Sequence, residues 1–175
     1  MLEIQNCAAS ITNVNARKEL NGEDRVPAFD INISIRVAAE LFKGLLPDYD
    51  GFIKTIWNEH KELRTTAIKQ ILFHDVAFEN GSLIIKDGMG NETEFKGCKV
   101  CKFKYFPGNF QIAQLDFQVQ YSAEKEEEIV PAYKAEQQDG VLVTIVANPK
   151  EGKAKGDSDT QVDAFDGSEQ EDEAA

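Results

Sequence analysis

The sequence predicts a mainly β domain of the α+β kind, an antiparallel sheet, sandwich or barrel of about six or seven strands with one or two inserted helices and a disordered acidic C-terminal tail. Three observations predict it. Asp30 to Val37 alternates strictly, with Ile31, Ile33, Ile35 and Val37 on one face and Asp30, Asn32, Ser34 and Arg36 on the other. Leu115, Phe117, Val119 and Tyr121 alternate in the same way with Gln114, Asp116, Gln118 and Gln120. A period of two marks a half-buried strand, and the second of these strands carries a wet amide face. Finally, turn formers, among them Asn21-Gly22, Asn80-Gly81, Asp87-Gly88 and Pro107-Gly108, flank the alternating segments, as hairpin turns do.

Taken in order, Ala9 to Leu20 reads as a strand joined to Asp30–Val37 through the turn Asn21-Gly22-Glu23-Asp24, where Asn-Gly supplies residues that tolerate positive φ. Val37 to Leu46 predicts a short helix ending at Pro47. Phe52, Ile56, His60, Leu63 and Ala67 recur at helical spacing, so a helix is predicted from an N-cap at Asp50 to about Ala67, with His60 on its apolar face. Turns at Glu79–Ser82 and Asp87–Asn91 bracket a short strand, Leu83 to Lys86. Lys99 to Phe106 places Cys101, Phe103 and Tyr105 opposite Lys102 and Lys104, and Pro107-Gly108-Asn109 folds it into a hairpin with the amide strand. Glu124 to Glu136 predicts a charged helix interrupted at Pro131, and Val141 to Ala147, apolar on both faces, an interior strand.

The boundary falls near residue 150. Lys150 to Ala175 holds three bases and nine acids, a net charge of −6 and half of the whole chain's −12. Val162 and Phe165 are its only large apolar residues, too few to offset the roughly 1–2 kcal/mol per residue that ordering a backbone costs. One β-rich domain is therefore expected over residues 1–149, with a tail over 150–175. Asp163, Phe165, Asp166, Glu171, Asp172 and Glu173 are the tail residues expected to contact protein partners.

No apolar run approaches the length of a membrane span, so a cytoplasmic protein of the host cell with no membrane partner is expected. The three cysteines are expected to be reduced thiols. A pI near 4.6 excludes broad attraction to nucleic acid, so any such site must be local.

Several segments together resemble a known group. The run Asn15-Ala-Arg-Lys-Glu-Leu-Asn-Gly-Glu-Asp-Arg-Val-Pro-Ala-Phe-Asp-Ile, the pair Leu41-Phe42, Gly97-Cys-Lys-Val-Cys-Lys-Phe-Lys-Tyr-Phe and Asp116-Phe-Gln-Val-Gln-Tyr are similar to a family of small hypothetical proteins carried by bacteriophages and prophages. The similarity spans most of residues 10–147 and departs from the family pattern at Cys101, where an acidic residue is expected. It implies a gene set among phage DNA replication and recombination functions, with partners drawn from host or phage replication and recombination proteins.

Most chemical constellations fail on geometry. Cys98-Lys-Val-Cys101 with His60 and His74 has the residue types of a zinc site, but residues three apart on a strand point to opposite faces. No nucleophile signature accompanies either histidine, and Gly88-Met-Gly90 is too short for a phosphate loop. No catalytic residue, metal or cofactor is expected, and the protein is read as non-enzymatic. One constellation remains: Lys96, Lys99, Lys102 and Lys104 interleaved with Tyr105, Phe106 and Phe110, where lysines track a single-stranded DNA backbone while rings stack bases. The sequence therefore predicts a single-stranded DNA-binding protein with a partner-recruiting tail. The alternative is a phage inhibitor of a host defence or nuclease complex whose acidic surface mimics DNA. Self-association into a homo-oligomer is compatible with either.

Overall fold

A computed structural model describes residues 1–149 apart from positions 22, 23, 45 and 47. The tail residues 150–175, and with them the proposed partner contacts from Asp163 to Glu173, lie outside the described residues.

Seven strands form one antiparallel sheet: β1 (Leu2–Asn21), β2 (Asp24–Ala38), β3 (Ile71–Phe73), β4 (Phe78–Lys86), β5 (Glu92–Pro107), β6 (Ile112–Ser122) and β7 (Val141–Pro149). Six of them close into a ring, β1-β2-β6-β5-β4-β7 and back to β1. β5 makes closure possible because it is long enough to serve two neighbours. Its residues from Glu92 to Val100 pair with β4, while those from Lys99 to Pro107 pair with β6. Closure removes most of the exposed strand edges that an open sheet would offer to other chains. β3 continues the β4 side by pairing with Phe103–Tyr105.

The alternation seen in the sequence is the alternation of the barrel wall. Ile31, Ile33 and Ile35 of β2 and Leu115, Phe117 and Val119 of β6 are buried inside, each no more than 2% exposed. Asp24 pairs with Asn21, as the first hairpin requires. β7 is interior in its pairing, with β4 on one side and β1 on the other, but its outer face is solvated: Leu142 and Val146 are exposed while Val143 and Ile145 are buried.

The expected turn at Glu79–Ser82 is instead part of β4. Asn80 takes the left-handed conformation, φ 52°, and makes a bulge, so Asn-Gly bends a strand here rather than ending one. Gly81 is required by contact, since a Cβ there would lie 2.9 Å from that of Ala147.

The helical segments are shorter than predicted. Residues Ala39–Gly44 form a 3-10 turn. Helix α1 spans Tyr49–Ile56, capped by Asp48, whose Oδ1 accepts from Gly51 N at 2.9 Å, rather than by Asp50. It stops at Trp57 because Asn58 captures the next amides: its Oδ1 accepts from His60 N and Glu62 N, both at 2.9 Å. His60 is therefore exposed in an irregular loop, not on an apolar helix face. Helix α2 (Val130–Glu136) follows a 3-10 turn over Glu126–Ile129, with Pro131 in its first turn where no amide is needed. Among the described residues no helix is long and apolar enough to cross a membrane.

One end of the barrel is sealed by an aromatic cluster. Tyr105 is fully buried among Phe42, Phe52, Trp57 and Phe73, with ring centroids 4.9–6.5 Å from its own. Among the described residues its hydroxyl is the buried side-chain polar atom without a hydrogen-bond partner. Tyr105→Phe is accordingly expected to stabilise the protein by about 1–2 kcal/mol, read by urea denaturation, because it removes an unsatisfied group and keeps the ring. A loss of stability would contradict the orphaned hydroxyl.

Candidate nucleic-acid interface

The outer wall formed by β1, β2, β6 and β5 is a set of cross-strand rows. Lys99 lies opposite Gln120, which lies opposite Asp30 and then Asn15. Cys101, Gln118, Asn32 and Asn13 make the next row, and Lys104, Asp116, Ser34 and Ser10 the third. Between the second and third rows β5 shifts register. Lys102, with φ 57°, is the bulged residue, and the extra residue switches the outward phase of β5, so that Lys99 and Lys104, an odd number of positions apart, both reach the outer face.

Lys102 and Lys104 line a shallow groove of about 300 Å³ with Thr12, Asn32, Asp116 and Gln118. Its floor is an amide chain: Gln120 Nε2 donates to Gln118 Oε1 at 3.0 Å, and Gln118 Nε2 donates to Asn32 Oδ1 at 3.1 Å. These bonds hold Gln118 almost fully buried and leave the Asn32 amino group with no protein acceptor among the bonds described.

Carboxylates on this wall are hydrogen-bonded, two of them to a cation. Arg17 Nε donates to Asp30 at 2.8 Å and its Nη1 donates to Glu19, which also accepts from Ser122 at 2.6 Å. The Ser122 and Arg17 bonds hold the Glu19 carboxyl below its ordinary range. Asp116 accepts from Gln114 Nε2 at 2.9 Å. Among the described residues Lys99, Lys102 and Lys104 form no ion pair. The groove is a local cationic strip on an acidic protein.

Three residues of the expected constellation are placed otherwise. Lys96 lies on the β4 side of a left-handed kink at Gly97, φ 73°, pairs in register with Ser82, and is bound to Glu94 at 3.3 Å. Tyr105 is core and offers no face to a base, and Phe106 is half-buried. Phe110 is the exposed ring, 70% accessible in the β5–β6 turn, where its N–H donates to Lys61 O at 2.7 Å. Thr12 and Asn32 were missed as site residues, since they come from strands β1 and β2 that only barrel closure brings beside β5.

Cys98 and Cys101 point to opposite faces, Cys98 into the core with its thiol donating to Phe95 O at 3.2 Å, and Cys101 outward beside Gln118. Burial pushes the Cys98 thiol up to about 12 and, with the Glu128 bond, the Tyr121 hydroxyl also to about 12. Both groups are neutral in the fold and lose their protons earlier in the unfolded chain. Their contribution is complete below about pH 9 and declines as pH rises toward 12. The melting temperature is therefore expected to fall steadily above pH 9, and a flat profile between pH 9 and 11 would contradict this burial.

Comparisons with family models, curated proteins and solved structures return no match, so function is argued from this geometry.

Proposed function

We propose that the protein is a phage DNA-metabolism accessory that binds single-stranded DNA across the outer wall of the barrel. The observation that carries this reading is the set of lysines without an ion pair among the described residues, Lys99, Lys102 and Lys104, on an amide-rich surface where they outnumber the one carboxylate, Asp116, that has no cation partner. Lysines hold phosphates without reading sequence, while amides and the exposed Phe110 ring meet unpaired bases, a combination suited to a single strand. The resemblance to phage-encoded proteins supports the setting. The acidic tail, with Phe165 and the carboxylates Asp163, Asp166, Glu171, Asp172 and Glu173, recruits replication or recombination partners and competes for the lysines when DNA is absent. DNA mimicry needs carboxylates spaced along a surface, and on this wall Asp30 and Glu19 are paired with Arg17 while Asp116 keeps its charge beside Lys102 and Lys104.

Ultraviolet crosslinking of a bromodeoxyuridine oligonucleotide, followed by peptide mass mapping, tests the location. Adducts are expected on peptides covering residues 99–118. Adducts confined to the β4–β7 wall would place any binding elsewhere.

A further inference from the structure

The hairpin of β1 and β2 outruns the wall it belongs to. β7 pairs with β1 only from Leu2 to Ala9, and β6 pairs with β2 only from Ala28 onward. Among the described residues no backbone hydrogen bond reaches residues 15–21 of β1 from outside β2. Seven residues therefore present an unpaired strand edge, which proteins usually blunt or cover. Beside this edge, α2 and the inner face of the hairpin leave a groove of about 400 Å³ lined by Ala16, Lys18, Phe29, Ile129, Val130 and Tyr133. Two large apolar side chains are exposed here, Val130 at 42% and Leu20 at 75%, and Leu20 shares a strand face with Ala16 and Lys18.

We propose that this edge joins two copies of the chain, β1 of one protomer pairing antiparallel with β1 of its partner about a two-fold axis at Lys18. In that register Leu20 lies opposite the partner's Ala16 and enters the partner's groove, and the exchange is reciprocal, as a two-fold interface requires. On the other strand face Arg17 meets the partner's Glu19, and Glu19 the partner's Arg17, extending the ion pair each protomer already forms. Lys18 lies opposite the partner's Lys18, an unfavourable pair that keeps the contact weak, with Glu126 lining the same groove. This self-complementarity of charge and of apolar plug and groove selects a second copy over an unrelated strand. The contact is small, so a dissociation constant on the order of 10 µM is expected. The inference is independent of DNA binding.

Sedimentation velocity of the full chain without DNA, over concentrations bracketing about 10 µM, tests it. A monomer–dimer transition is expected, with Leu20→Asp weakening dimerisation at least ten-fold. Leu20 is exposed in the protomer, so the variant should melt as the wild type does. Lys18→Cys should form a disulfide-linked dimer on mild oxidation, because residues facing each other in an antiparallel pair have Cα atoms about 4.5–5.5 Å apart, within disulfide reach. The wild type should not, its cysteines being buried or half-buried. A monomer at all concentrations overturns the proposal. So does a dimer indifferent to Leu20→Asp, or one in which Lys18→Cys fails to crosslink.

Discussion

Exchanging Lys102 and Lys104 for glutamate in one variant is expected to lower the affinity for a single-stranded oligonucleotide about a thousand-fold at low salt, with the fold retained and the melting temperature only slightly lowered. A lysine within about 4 Å of a phosphate contributes about 1 kcal/mol in a high dielectric, and reversal substitutes a repulsion of similar size, so the two sites together change binding by about 4 kcal/mol. Both side chains are exposed and without an ion-pair partner among the described residues, so the fold loses no bond, and the like-charge pair that Lys104→Glu sets opposite Asp116 costs at most about 1 kcal/mol. The salt dependence should change too: three lysines imply a slope of about −2 for the wild type at about −0.7 per phosphate, and the variant's slope should be shallower than about −1. Lys96→Glu is the control. Lys96 is already bound to Glu94 on the far side of the Gly97 kink, and its reversal should alter affinity far less. Fluorescence anisotropy across a salt series reads all three.

Trp57→Ala should be the most damaging substitution to the fold, costing about 3–5 kcal/mol in urea denaturation followed by circular dichroism. Trp57 is 1% exposed, meets Tyr105 and Phe52 edge-on at 6.3 and 6.2 Å, and donates Nε1 to Gly108 O at 2.7 Å. Its own carbonyl accepts from Arg64 Nε at 2.9 Å. One residue thus ties α1, the loop after it and the β5–β6 turn to the barrel end. Trp57→Phe keeps apolar area but leaves the Gly108 carbonyl unpaired, and should cost about 1–3 kcal/mol. Against a total stability of about 5–15 kcal/mol the alanine variant is near the limit of folding. A cost below about 1 kcal/mol would mean that the aromatic cluster is not packed as described.

The parts of the fold legible in the sequence are those set by local patterning. Strands β2 and β6 declare themselves because isoleucines, or Leu, Phe and Val, alternate with polar residues over eight positions. What stayed hidden depends on contacts between distant segments. The helix expected to reach Ala67 ends at Ile56 because Asn58 competes for amides and Trp57 finds Gly108, a partner 51 residues away. Asn80-Gly81 has the residues of a turn but the environment of a bulge, since β7 and β5 both continue past it. β3, three residues long, has too short a pattern to register. The candidate site was half legible. Alternation set Lys102 and Lys104 opposite Phe103, but the same alternation left open which face was core, and the structure gives Phe103 and Tyr105 to the interior. Asn32 joins the groove through strand order, which no local pattern encodes.

The central claim is that this acidic protein binds single-stranded DNA through a local cationic strip, and equilibrium binding at low ionic strength tests it most directly. Anisotropy of labelled single-stranded and duplex oligonucleotides would be followed with the full chain and with a form lacking residues 156–175. Saturable binding of the single strand is predicted, tighter than that of the duplex, and strengthened by tail removal most at low salt, where the competing polyanion is least screened. Undetectable binding of single-stranded DNA by both forms at micromolar protein would contradict the account.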